Sequence, residues 1–349
     1  MKYYLFAVAL SLSFAAVAQQ EGNISVAPGR ETRSQYIKSY PDKFFIWPVL
    51  KQRKLDFDLK NVEGEEQTLQ YRTNKPYSLG VGMYLFELGF EIAFAIPLDE
   101  QSKRIYGESE SRDVQLNVLG RRWGADLFYQ RYSGFYIDDT KNVVPASMPY
   151  PQRPDIITRN LGLSVNRIFN HNKFSFRSAY NFVDRQLTSA GSFIVFASFD
   201  NILTKGDSAI IGSAHAENFQ TASQVRSIRS SNLGVAPGYT YSLIYKGFFI
   251  NGTLAIGPAH NWMTYELEDG TDDSRLRFSA MVTARIALGY NGDRIFGGLT
   301  FSNQGRNVKF ENVQLSNSQS AFKILVGYRF GETGILTKRI WDIPQKLFN

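Results

Sequence analysis

The stretch "LGFEIAFAIPLDE", residues 88–100, alternates large and small side chains. Successive side chains of an extended strand point to opposite faces, so Leu88, Phe90, Ile92, Phe94 and Ile96 share one side. Gly89, Glu91, Ala93 and Ala95 share the other. A water-facing sheet puts polar residues out and bulky ones in. Here the bulky face is wholly apolar, and a carboxylate sits among small residues opposite. The fold turns on which solvent the bulky face meets.

The same alternation recurs along the chain. Leu55, Phe57 and Leu59 alternate with Asp56, Asp58 and Lys60, and Val114, Leu116 and Val118 with Asp113, Gln115 and Asn117. Leu127 and Tyr129 oppose Asp126 and Gln130, and Leu161, Leu163 and Val165 oppose Asn160, Ser164 and Asn166. Phe174, Phe176, Tyr180 and Phe182 share a face opposite Arg177. In "LRFSAMVTARIALGY" (276–290), Arg277 and Arg285 lie opposite Leu276, Phe278, Val282, Ile286 and Leu288. "AFKILVGYRF" (321–330) sets Phe322, Ile324, Val326, Tyr328 and Phe330 against Lys323 and Arg329.

A soluble sandwich also alternates, but three details favour lipid. The segments run roughly 9 to 13 residues, the length of tilted membrane strands. Their second face carries Arg, Asp, Asn, Gly and Ser, which suit a polar lumen. Their apolar faces often end in Trp, Tyr or Phe, as an interfacial girdle does. The sequence therefore predicts an all-β protein, a transmembrane antiparallel β-barrel of the outer membrane with about 12–14 strands.

Short turns at Glu87, 120–122, 170–172, 246–247 and 291–293 alternate with longer polar connections at 98–110, 135–155, 259–275 and 303–319. In such barrels short turns face the periplasm. Strand parity fails only near 187–230, where "AGSFIVFASFDN" has no clear returning partner except a weak one around Ser208–Ser213.

The first residues, "MKYYLFAVALSLSFAAVAQQ", carry one early cation, a short apolar run and Ala16-Val17-Ala18. They read as a signal peptide cleaved after Ala18, with export to the outer membrane of a Gram-negative bacterium. The expected organisation is a signal peptide at 1–18, a periplasmic or plug segment at 19–50, a barrel at 51–330 and a periplasmic tail at 331–349. Phe330, rather than Asn349, then closes the barrel. With no Cys, disulfides and thiol chemistry are excluded. A net charge of +7 without a basic run or a recognition motif gives no reason to expect nucleic acid as a partner.

"YIKSYPDKFFIWP" (36–48), "YRTNKPYSLGVGMYLFELGFEIAFAIP" (71–97) and "YGESESRDVQLNVLGRRWGADLFYQRYSGFYID" (106–138) resemble domain-of-unknown-function family 4421. "SAGSF" (189–193), "PGYTYSL" (237–243) and "GYRF" (327–330) extend the likeness. The resemblance implies a Bacteroidetes cell-envelope protein, an outer-membrane barrel without established activity or catalytic residues.

The inward positions collect charges of both signs: Asp56, Asp58, Glu91, Asp113 and Asp126 against Arg177, Arg277, Arg285, Lys323 and Arg329. Mixed signs suit a network of satisfied pairs in a closed or narrow lumen better than a one-sign selectivity ring. The three histidines, His171, His215 and His260, have no second ligand at metal spacing, so neither a metal nor a cofactor is expected. A lipid hydrolase would need a Ser activated by a His. Its nearest elements, His260 with Ser242 or Thr253, form no local motif. The expected role is a small-solute channel or transporter, or a structural envelope protein, rather than an enzyme. A membrane-embedded lipid-modifying hydrolase and a soluble periplasmic ligand-binding β-protein are the alternatives. Expected partners are outer-membrane lipid, the barrel-assembly machinery during insertion and a small solute in the lumen.

Overall fold

The computed structural model describes residues 32–331, apart from 42, 86–87 and 146–147. The N-terminal and C-terminal segments foreseen as signal peptide and tail, and the turn at Glu87, lie outside the described residues. In chain order the strands are β1 (Ile37–Ser39), β2 (Lys43–Asn61), β3 (Thr68–Arg72), β4 (Ser78–Leu85) and β5 (Leu88–Ala95). Next come β6 (Glu110–Leu119), β7 (Trp123–Asp139), β8 (Gln152–Ile168), β9 (Asp184–Gln186) and β10 (Ala190–Lys205). The last are β11 (Val225–Tyr245), β12 (Phe248–Leu267), β13 (Asp272–Asn291), β14 (Ile295–Phe310) and β15 (Val313–Gly331). No helix is long and apolar enough to cross a membrane among the described residues.

All strand pairs are antiparallel, and β15 returns to β2 from Val313↔Asn61 to Gly331↔Lys43, which closes the wall. At one end, β3 bridges β2 and β7 through Leu59↔Leu69 and Leu69↔Asp139. There the circuit β2-β3-β7-β8-β10-β11-β12-β13-β14-β15 is a closed barrel of ten strands. Towards the other end, the place of β3 is taken by the β4–β5 hairpin on β2 and by β6 on β7. The wall is twelve strands wide there, and no ladder joins β5 to β6 among the described residues. The expected count of twelve to fourteen thus meets a wall of two widths.

The strands are longer than the sequence pattern suggests, reaching 21 residues in β11 and 20 in β12 and β13. Most of the connections expected at 259–275 and 303–319 are strand, and the loops shrink to 268–271 and 311–312. Apart from Trp262 their outward side chains are polar, which made them read as loops. Their inward ones, Met263, Tyr265, Val308, Phe310, Val313 and Leu315, are buried. The barrel also starts at Lys43 rather than at residue 51. Pro48 does not end β2, because the ladder to β15 steps from Leu325↔Val49 to Tyr328↔Ile46 and skips the proline, which has no N–H to donate.

The strand expected at 174–182 is not a strand. Phe174, Phe176 and Phe182 are all buried, whereas a lipid-facing strand exposes alternate residues. The segment 169–189 instead folds into the barrel around a short helix, Phe176–Tyr180. There β9 pairs with β1 (Ile37↔Gln186), tying residues ahead of the barrel to this plug. The missing partner near 208–213 is not a strand either. Residues 206–224 form short helical turns, including Ala216–Phe219, that fill the opposite mouth. Both departures remove one strand each, so β8 and β10 are sequential neighbours and parity holds.

Around the lower part of the wall the outward face is apolar. Ile92 and Phe94 of the opening stretch are 68% and 76% exposed. Leu79, Val81 and Met83 on β4, Tyr239, Tyr241 and Leu243 on β11, and Ile324, Val326 and Tyr328 on β15 continue the band. Aromatic rings rim it at the short-turn end: Phe44 stacks on Phe330 at 4.9 Å, and Phe248 meets Tyr290 at 5.1 Å. The turn between β11 and β12 is as tight as a hairpin allows, with φ of 47° at Lys246 and 87° at Gly247, the geometry of a type I′ turn. Lipid is the solvent that the opening stretch meets.

Candidate functional site

The interior is filled rather than hollow. Near the ten-stranded end, Leu55, Phe57, Leu59, Leu69 and Tyr71 of the wall enclose Ile210, Ile211, Phe219 and Ala222 of the 206–224 segment. At the short-turn end, Phe45, Trp47, Tyr84, Phe249 and Phe296 enclose Ala179, Phe182 and Val183. A third cluster sets Phe174 and Phe176 against Phe196, Ala236, Ala255 and Met281. Between them lies a polar layer with a cavity of about 20 Å³ beside Asn160, Gln304 and Arg306. That is room for about one water.

Within this layer each wall carboxylate meets a cation. Glu91 accepts from Lys323 Nζ at 2.6 Å, from Trp47 Nε1 at 3.1 Å and from Lys51 Nζ at 3.4 Å. The Trp47 ring reaches it by lying on Gly82, where an added Cβ would stand 2.1 Å from the indole. Asp113 accepts from Arg53, from Tyr132 Oη at 2.9 Å and from Gln130 at 3.3 Å, with Lys75 Nζ 3.8 Å away. Asp126 sits 3.6 Å from Arg285, whose guanidinium lies over Phe196 at 5.2 Å, and accepts from Gln115 at 3.2 Å. Breaking one side of such a buried pair costs about 3–5 kcal/mol.

Glu91, Asp113, Asp126, Arg285 and Lys323 therefore lie where the alternation puts them, but as separate pairs. Three other positions differ. Asp56 and Asp58 point outward, because Leu55, Phe57 and Leu59 are the buried partners. Asp58 pairs with Arg72, and Asp56 accepts from the Thr73 backbone at 3.2 Å. Arg177 is on the plug helix, not the wall, 3.7 Å from Asp184. Arg277 faces inward near the outer mouth, where with Arg275, Glu63 and Glu311 it lines a recess of about 300 Å³. Arg329 is a buried clamp. It donates to Gly292 O, to Phe182 O at 2.6 Å and to Asn291 Oδ1 at 2.7 Å, and so pins the plug to the last strand.

Sequence reasoning missed Arg306 with Asp200, a buried pair supported by Ser198 Oγ at 2.6 Å. Arg306 falls in the stretch read as a loop. It also missed Asp184, which accepts from Ser175 Oγ at 2.6 Å, Ser39 Oγ at 2.7 Å and Arg33 at 3.1 Å. Burial pushes the Asp184 carboxyl up, but the Arg177 and Arg33 cations and the two hydroxyls outweigh it and hold it below the usual range. The hydrolase elements are not brought together. His260 is on the outward face, stacked on Trp262 at 4.4 Å, while Ser242 and Thr253 are buried inside the wall. His171 accepts from Arg122 at 3.1 Å, and His215 lies in the outer plug within 3.5 Å of Gln67.

An apolar outer band, a paired polar layer and mouths occupied by the chain's own segments define a membrane-type β-barrel. The chain belongs to the family described as Domain of unknown function (DUF4421), whose model matches residues 32–330. Among curated protein sequences none matches. Solved structures similar to it include the outer membrane protease OmpT from Escherichia coli, at 10% identity and a TM-score of 0.39 over 84% of this chain and 98% of that one. The translocator domain of the autotransporter NalP from Neisseria meningitidis gives 10% identity and a TM-score of 0.32 over 94% and 96%. Neisserial surface protein A gives 8% and 0.24 over 80% and 96%. Scores of that size reflect no shared detail beyond strands wound into a barrel.

Proposed function

We propose that the protein is a non-conducting barrel of the Gram-negative outer membrane, an envelope component rather than an open channel. One observation carries this reading: segments 169–189 and 206–224 fill the two mouths with buried aromatic and aliphatic side chains. A porin keeps a polar, water-filled lumen, whereas here Glu91, Asp113, Asp126 and Asp200 of the wall each have a cation. Export through the N-terminal segment and insertion by the barrel-assembly machinery belong to the same proposal. The lipid-facing band supports membrane embedding, with the short-turn end in the periplasm.

Conductance of the purified protein in planar bilayers tests this directly. The expected result is no steady ionic current from the wild type. A steady current whose ion preference changes with Arg285→Glu would overturn it in favour of a channel.

A further inference from the structure

The seam between β5 and β6 is where the barrel wall is incomplete. Towards the ten-stranded ring it is closed. Asn74 donates its backbone N–H to Ser109 Oγ at 2.8 Å and its side-chain amide to Gly107 O at 2.7 Å, bridging the connection between β3 and β4 to the loop that leads into β6. The same loop lies over the bulge at Gly134, where φ is +79° and a Cβ would meet Glu108 O at 2.2 Å. Towards the short-turn end, nothing pairs the facing edges of β5 and β6 among the described residues. The result is a seam along which neither backbone edge is paired among the described residues.

Bare sheet edges are not left facing hydrocarbon, because each unpaired N–H and C=O costs several kcal/mol there. Something with polar atoms must cover them. The inward side chains at the seam are also unlike the rest of the interior. Gly89, Ala95, Gln115 and Asn117 are exposed, whereas Gln130, Asn160 and Thr240 at equivalent inward positions are buried. Behind them, Lys51, Arg53, Lys75 and Lys323 pair with Glu91 and Asp113, four cations against two carboxylates among the described residues. Outside, exposed Ile92 and Phe94 on β5 and Val114 and Leu116 on β6 flank the opening. A ligand that fits must carry an anionic polar head and apolar chains.

We propose that the seam holds one anionic phospholipid, its phosphate inside against Lys51, Arg53, Lys75 and Lys323 near the ring end of β5 and its acyl chains outside along β5 and β6. The headgroup's oxygens accept from the free edge N–H groups, and the surplus cations neutralise the phosphate. The proposal rests on the barrel being membrane-embedded but not on whether its lumen conducts. Recovery without detergent would sink the embedding, whereas an embedded barrel that fails the following test would sink this proposal alone.

The test is native mass spectrometry of the full-length protein in nonionic detergent, titrated with phosphatidylglycerol or phosphatidylcholine. One phosphatidylglycerol is expected to be retained, with a preference of about tenfold or more over phosphatidylcholine. Lys51→Gln with Lys323→Gln should erase the preference. Ala93→Trp keeps every charge but fills the seam from inside and should abolish retention. Each variant is scored only where it still shows a heat-modifiable folded band, and either alone decides. Equal retention of the two lipids, or full retention by Ala93→Trp, would overturn the proposal. So would complete displacement by millimolar inorganic phosphate, which would make the cluster a phosphate site without a lipid.

Discussion

The lower wall and the ring above it are built from the same strands, but only the lower wall turns an apolar face outward. On β14, Ile295 and Phe301 are exposed outside the lower wall, while higher up Val308 and Phe310 are buried inside. The ladder from β14 to β15 runs without a break from Ile295↔Tyr328 to Phe310↔Val313, so no bulge swaps the faces. β2 does the same: its exposed Ile46 is outward, and Leu55, Phe57 and Leu59 are inward behind Asp56, Asp58 and Lys60. What changes along each strand is the solvent. In lipid the outward side is apolar, and the interior holds both ion pairs and the apolar contacts of the plug. Above the lipid the same barrel behaves as a water-soluble one, with an apolar core formed around the 206–224 segment.

The largest effect should come from the ring core. Phe57 is 1% exposed and stacked on Tyr71 at 4.4 Å with an interplanar angle of 8°. Phe57→Ala should cost about 3–5 kcal/mol, read from urea unfolding in phospholipid vesicles. A loss below about 1 kcal/mol would mean that the ring has no core of its own, and the comparison would collapse to one kind of wall.

Next comes the band itself. Phe94→Arg, on the lipid face, should cost about 2–4 kcal/mol if it lies near the bilayer midplane. Asn307→Arg, outward and exposed on the ring, should stay within about 0.5 kcal/mol. Equal costs at the two positions would place lipid against the ring as well.

How far the sequence could be read follows from the same inversion. Period-2 alternation locates strands and sets which residues share a face, and it placed Glu91, Asp126, Arg285 and Lys323 together with the other inward residues. It carries no sign, however. Reading every apolar face as lipid-facing put Asp56 and Asp58 inside, where the ring puts Leu55 and Phe57. The same assumption turned the polar outer faces of 259–275 and 303–319 into loops and hid Arg306. The plug failed for a different reason. Phe174, Phe176 and Phe182 satisfy the strand period, and only tertiary burial by Phe249, Phe296 and Met281 makes a short helix there preferable. The seam was not legible at all, since pairing between β5 and β6 depends on where the loop 96–109 leaves the wall.

The smallest expected effect is the most direct probe of the inversion. Asp58 pairs with Arg72 on the outward face of the ring, and both side chains are partly exposed to water. A pair of that kind contributes about 0–1 kcal/mol, so Asp58→Cys should leave the unfolding midpoint almost unchanged. If Asp58 instead faced the lumen, removing it would leave Arg72 unpaired inside the wall, and the cost would rise towards that of a broken buried pair. Labelling separates the two independently of stability. A membrane-impermeant maleimide added to intact cells should modify Asp58→Cys, because the ring stands beyond the lipid on the side of the longer loops. Phe57→Cys, one residue away and turned into the core, should stay unlabelled until the barrel is unfolded. The reverse pattern would return Asp58 to the lumen and put Phe57 against lipid, and the ring would then be only more of the membrane wall.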